Sequence, residues 1–159
     1  MFPNEYNNNQ KGEFFEKFVA SLIEPMRYEI VSRVRYTGME IDLMAKGCDQ
    51  PKTIYIECKA LKENIASDVI TKLIGNIWLN NADEGWLFST SDLSKDAKGV
   101  NENIKSNKDK AKQFTWYSPQ KILDILRSQR TIIDPQSILH KYSIHNYGDF
   151  TLLILPDAY

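Results

Sequence analysis

The sequence predicts an α/β sandwich, a central mixed β-sheet flanked by helices, and three observations carry that expectation. Helical and strand-like segments alternate in the order α, β, β, β, α, β, α, β, α. Two consecutive strand-like runs, "MEIDLMAK" and "IYIECKA", are separated by the turn formers Gly47, Asp49 and Pro51, which fold one run back on the other as an antiparallel hairpin. The later strands are each separated by a helix, as parallel crossovers require. A sheet with antiparallel pairing at one side and parallel pairing at the other satisfies all three.

Each element has its own signal. In "GEFFEKFVASLIE", Phe14, Phe15, Phe18, Val19, Leu22 and Ile23 recur at helical spacing, and Pro25 ends the run. "YEIVSRVRY" reads as the first strand. In "MEIDLMAK", Ile41, Leu43 and Ala45 alternate with Glu40, Asp42 and Met44. In "IYIECKA", Ile54, Ile56 and Cys58 face one way and Tyr55, Glu57 and Lys59 the other, so this strand reads as half-buried. "SDVITKLIGNIWLNN" sets Val69, Leu73, Ile77 and Trp78 on one helical stripe, with Ser67 or Asp68 as N-cap. "GWLFSTS" is a short buried strand, "SKDAKGVNENI" a helix capped by Ser94, and "QFTWYS" a last strand. "SPQKILDILRSQ" is a helix with Ser118 as N-cap and Pro119 at its first position. Trp78, Trp86 and Trp116 read as core anchors.

Composition excludes several classes. With 159 residues, 42% hydrophobic and 26% charged, the chain closes one good core and is neither disordered nor fibrous. The longest apolar runs, such as "TLLILP", fall far short of the roughly 20 residues that cross a bilayer. "MFPNEYNNNQKGE" lacks the basic and apolar regions of a signal peptide, so the expectation is a cytoplasmic protein with no membrane partner. Cys48 in a polar loop and Cys58 in a strand are too few and too unlike for a disulfide framework or a zinc site, and read as free thiols.

The hairpin lays two charged strand faces side by side. Directly opposed side chains on antiparallel strands sit roughly 4.5–5.5 Å apart, so Asp42 and Glu57 can aim two carboxylates at one point. Like charges that close repel unless a cation lies between them. A hard divalent cation such as Mg²⁺ takes oxygen ligands and keeps several waters, which suits two carboxylates and a phosphate oxygen. Lys59, one pleat beyond Glu57, adds an ammonium. These are the parts of phosphodiester hydrolysis: a metal to polarise phosphate and water, and a lysine to position water or stabilise charge. The competing reading is an ordinary solvated strand face, with Glu40 beside Asp42 as an exposed carboxylate.

"TGMEIDLMAK" followed by "IYIECKA" resembles the PD-(D/E)xK nuclease superfamily, and within it the Mrr-like restriction endonucleases, whose core reads Asp, a loop, then Glu-x-Lys on the next strand. "GEFFEKFVASLI", with Phe15 and Glu16, is similar to that family's first helix. "FSTSDLSKDA" is similar to its strand-to-helix segment, and "SPQKILDIL" to its last helix, so the likeness runs from about Gly12 to Leu126. It implies a restriction-endonuclease-like sandwich hydrolysing DNA with Mg²⁺, for which Mn²⁺ substitutes. It also implies roles: Asp42 and Glu57 as metal ligands, the Cys58 carbonyl as a third, Lys59 as the catalytic lysine, and Glu16 as a helix carboxylate brought to the metal, where Glu13 competes. Two departures stand out. Met39 and Glu40 replace the glycines that often precede the aspartate, and the helix after Glu-x-Lys offers Asn76 as its nearest amide in place of a Gln-x-x-x-Tyr signature.

The net charge of −1 does not mark a dedicated DNA binder, but Lys95 to Lys112 is locally basic. Lys95, Lys98, Lys105 and Lys108 are the candidate phosphate contacts, against the alternative of a solvated helix face and loop. Residues 1–130 are expected to form the nuclease domain and 131–159 a C-terminal extension, the start of a linker or next module. Its apolar run Phe150 to Leu155 suggests a homo-oligomer edge or part of a longer multidomain chain, by analogy the effector domain of a bacterial antiviral defence protein. His140 and His145 lie outside the matched region. The alternative to an endonuclease is a non-cleaving nucleic-acid-binding or assembly module that keeps the fold.

Overall fold

A computed structural model of the chain describes residues 7–36, 39–107 and 113–131. The chain divides into two compact units, Met1–Pro119 and Gln120–Tyr159. The first holds α1 (Asn8–Ile23), a 3-10 turn (Glu24–Met26), β1 (Tyr28–Tyr36), β2 (Met39–Gly47), β3 (Thr53–Lys59), α2 (Ser67–Leu79), β4 (Glu84–Ser89), α3 (Lys95–Ser106) and β5 (Phe114–Tyr117). Pro119 opens α4 (Pro119–Ser128), whose Ile122 and Leu126 are buried and which carries the chain into the second unit. Lys108, His140, His145 and the run Phe150 to Leu155 lie outside the described residues, as does the 131–159 extension apart from Thr131.

The five strands lie in the order β1-β2-β3-β4-β5. β1 pairs with β2 and β2 with β3 antiparallel; β3 pairs with β4 and β4 with β5 in parallel. This is the mixed sheet expected from the hairpin and the later crossovers. α1 packs on β2 and β3, whereas α2 packs on β3 and β4 and against α3. Ile70, Leu73 and Ile77 of α2 join Ala97 and Ile104 of α3, with Tyr55, Leu87 and Phe114 of the sheet, in one buried cluster. Gly85 permits that approach: a Cβ there would press into the Ile77 side chain and lie 3.1 Å from Leu73 Cγ.

Three expectations are corrected. β3 is not half-buried, because residues 54–58 are all buried. It is an internal strand with α1 on one face and α2 on the other, so even its polar side chains sit under cover. Trp78 is 80% exposed and is no core anchor, whereas Trp86 is buried. The buried stripe of α2 is Ile70, Leu73, Asn76 and Ile77, and the residue after Ile77 is turned about 100° off it. The N-cap of α2 is Ala66, with no side-chain cap, and Asp68 lies within the first turn.

The helix starts show how local chemistry fixes the elements. Asn7 forms a capping box with Gln10: Gln10 N–H donates to Asn7 Oδ1 and Asn7 N–H to Gln10 Oε1, both at 2.9 Å. Helix α1 therefore begins at Asn8, four residues before Gly12. Ser94 caps α3 as expected, its Oγ accepting from Ala97 N–H at 3.2 Å.

Candidate active site

The β2–β3 ladder runs from Lys46↔Thr53 to Leu43↔Ile56. One step further along the register stand Asp42 and Glu57. There the Asp42 carboxylate turns to the partner backbone, its Oδ2 accepting from Cys58 N–H at 2.8 Å. That bond satisfies the donor that the end of the ladder leaves over and fixes the rotamer of Asp42. Glu57 is only 7% exposed. Its Oε1 lies 2.5 Å from Lys59 Nζ, the ammonium one pleat away, whose side chain is 29% exposed. Asp42, Glu57 and Lys59 are thus brought together at the C-terminal end of β3.

The electrostatics record that crowding. Burial, and then the charge of Asp42, push the Glu57 carboxyl above its ordinary value, against the pull of Lys59 and, more weakly, Lys72. Burial pulls the Lys59 ammonium down, but the charge and hydrogen bond of Glu57, with Asp42 behind them, outweigh it and the net shift is upward. Lys59 is therefore a firmly charged group. The Cys58 thiol is pushed well above its ordinary value, first by burial and then by Asp42, Glu16 and Glu57, so it stays neutral.

By strand alternation Glu57 and Lys59 share the Tyr55 face of β3, under α2, while Cys58 faces α1. Glu16 of α1 is half-buried and its charge registers at the Cys58 thiol; Glu13, its competitor, is exposed. Glu40 is exposed. Among the described residues no three His, Cys, Asp or Glu side chains form a metal-holding group. The acidic pair, with a backbone carbonyl between strand positions 57 and 59, is nonetheless an all-oxygen donor set of the kind hard divalent cations take.

The basic residues lie apart on α3. Lys95, Lys98 and Lys105 are all exposed; Lys98 and Lys105 flank the buried face of Ala97, Asn101 and Ile104, and Lys95 lies further round the helix. Lys95 and Lys105 are about 15 Å apart along the axis. Lys98 Nζ bonds Asp92 Oδ2 at 2.6 Å in an exposed pair. Sequence reasoning missed Lys72, an exposed residue of α2 whose charge reaches Glu57. A lysine bordering an amphipathic stripe carries no signal of the strand it faces.

A family model described as a restriction endonuclease, Mrr_cat, matches residues 8–108. The chain belongs to this restriction endonuclease family. The match spans α1 through α3 and so contains every strand and helix that builds the acidic pair and Lys59. No curated protein matches the chain. Among solved structures, a protein of unknown function, AF1548, shares 17% identity with a TM-score of 0.58, over 83% of this chain and 78% of that one. The MspJI restriction endonuclease, solved in complex with a 27-mer oligonucleotide, shares 9% identity with a TM-score of 0.51, over 77% of this chain and 28% of that one. At such identities the likeness is one of fold, and the fold is the restriction-endonuclease-like sandwich.

Proposed function

We propose that this restriction endonuclease domain is a divalent-metal-dependent endodeoxyribonuclease whose active site is Asp42, Glu57 and Lys59. The observation that carries the reading is the convergence of two carboxylates and a firmly charged ammonium at one covered strand end. Asp42, held by Cys58 N–H, and Glu57 would bind a Mg²⁺ ion with the Cys58 carbonyl; Glu16, on α1 at the Cys58 face, is not part of this set. When bound, such an ion neutralises the acidic pair, polarises the scissile phosphate and lowers the pKa of attacking water. Glu57 orients Lys59, and Lys59 holds the water or the growing phosphate charge through Nζ. Burial of Glu57 keeps bulk water from screening that charge.

DNA is the substrate this reading favours. MspJI, which shares the fold, is solved with an oligonucleotide. Lys95, Lys98 and Lys105 form a stripe suited to a phosphate backbone, with Lys98 exchanging Asp92 for phosphate. The test is incubation of the protein with supercoiled plasmid, with Mg²⁺ and with chelator. Nicked or linear plasmid with Mg²⁺ alone is the expected outcome. Intact plasmid under both conditions, with the protein bound to it, would favour a non-cleaving module of the same fold.

A further inference from the structure

In the run Ser89-Thr90-Ser91, at the end of β4, the hydroxyls of Thr90 and Ser91 are spent on one object and that of Ser89 braces the run itself. Thr90 Oγ1 donates to the Leu61 carbonyl at 3.0 Å, and Ser91 Oγ donates to the Glu63 carbonyl at 2.8 Å. Ser89 Oγ donates to the Ser91 carbonyl at 2.8 Å while accepting from Trp116 Nε1 of β5 at 2.9 Å. Backbone bonds close the same seam: Thr90 N–H to the Lys59 carbonyl at 3.0 Å, Ile65 N–H to the Asp92 carbonyl at 2.8 Å, and Ser94 N–H to the Ile65 carbonyl at 2.9 Å. The object is the loop that leaves Lys59.

That loop has little else to hold it. Residues 61–64 are exposed, and packing resumes only at Ile65, which is fully buried. Between them the hydroxyls of Thr90 and Ser91 replace side-chain packing. Thr90 holds the chain at and just after Lys59: its amide bonds the Lys59 carbonyl and its side chain the carbonyl two residues on. Thr90 itself is exposed, so its hydroxyl adds little to the core.

We propose that Thr90 is a positioning residue for Lys59, its hydroxyl fixing the chain immediately after the lysine so that Nζ keeps its place beside Glu57. The proposal rests on the nuclease reading for its consequence in rate, but not for its consequence in structure. Ser91 continues the clamp one step further from the lysine and is buried enough that its removal disturbs folding as well.

Thr90→Val keeps shape and removes the hydroxyl; Thr90→Ser keeps the hydroxyl and removes the methyl. In steady-state plasmid cleavage Thr90→Val should lose roughly 10-fold to 100-fold in kcat, in line with the cost of small misplacements, with KM and melting temperature near wild type. Thr90→Ser should restore the rate. Hydrogen exchange of the Thr90 and Ile65 amides, which are bonded to the Lys59 and Asp92 carbonyls, should speed up in Thr90→Val and remain slow in Thr90→Ser, whether or not the protein cleaves. Wild-type exchange in Thr90→Val overturns the proposal; so does a full cleavage rate in that variant, or an equal loss in Thr90→Ser. A wild type that fails to cleave while exchange responds as stated would count against the nuclease reading and leave the clamp standing.

Discussion

Replacing Asp42 by Asn separates the two jobs assigned to this carboxylate. An asparagine Oδ1 still accepts from Cys58 N–H, so the bond seen at 2.8 Å survives, while the negative charge beside Glu57 is lost. With that charge gone, Glu57 is easier to keep ionised, and the metal-free variant should be as stable as wild type or more so. Asp42→Ala differs: it strands the N–H of buried Cys58 and should cost about 1–3 kcal/mol. For wild type, an ion that binds only the folded state adds RT ln(1 + [L]/Kd), which is about 1.4 kcal/mol at ten times Kd. In a domain of this size that is a melting shift of a few degrees. Asp42→Asn should lose most of that shift without losing apo stability. The assay is thermal unfolding of the three proteins across a Mn²⁺ titration at constant ionic strength. Equal metal-induced shifts in wild type and Asp42→Asn would refute the assignment of Asp42 as ligand, because general salt effects need no particular carboxylate.

Lys72 tests the electrostatics from another side. Because it lowers the Glu57 pKa, Lys72→Gln should move the acid limb of the cleavage profile to higher pH; an unmoved limb removes Lys72 from the site. The sign for stability follows. A carboxyl raised in the folded state is a burden above its unfolded pKa, so metal-free protein should gain stability as pH falls toward the ordinary carboxylate value, and Glu57→Gln should abolish that gain in unfolding titrations. Changing Lys95, Lys98 and Lys105 together to Ala should flatten the log–log salt dependence of DNA binding by up to about three units, at about 0.9 per phosphate contact; an unchanged slope would make α3 an ordinary solvated face. Gly85→Ala should destabilise by about 1–3 kcal/mol in denaturant titrations through overpacking against Ile77 and Leu73, with no metal dependence.

What could be read from sequence was what depends on local pattern. Period-two alternation and the Gly47-Asp49-Pro51 turn determine the β2–β3 hairpin, and its register sets Asp42 against Glu57; these were legible because each is written within a few residues. Burial of β3 on both faces was not, since it arises from α1 and α2 converging from distant segments, and only tertiary packing makes Glu57 a covered carboxylate. The exposure of Trp78 was missed because an indole beside an apolar stripe reads as core, while its azimuth, one residue past Ile77, places it outside. The capping box was written in the sequence as Asn7-x-x-Gln10 ahead of the apolar stripe of α1, a local signal that places the helix start before Gly12. The bonds from Thr90 and Ser91 to Leu61 and Glu63 span nearly thirty residues and end on carbonyls, which no side-chain pattern can announce.

The central claim is that the ammonium beside Glu57 acts in the reaction rather than in holding DNA. It is tested most directly by measuring plasmid cleavage and DNA affinity together for wild type and Lys59→Ala with Mg²⁺. One phosphate contact among several is a small part of binding, whereas a group acting at the transition state governs rate, so cleavage should fall by orders of magnitude while affinity stays within a few-fold. A Lys59→Ala protein that binds and cleaves at the wild-type rate would contradict the active site described by Asp42, Glu57 and Lys59.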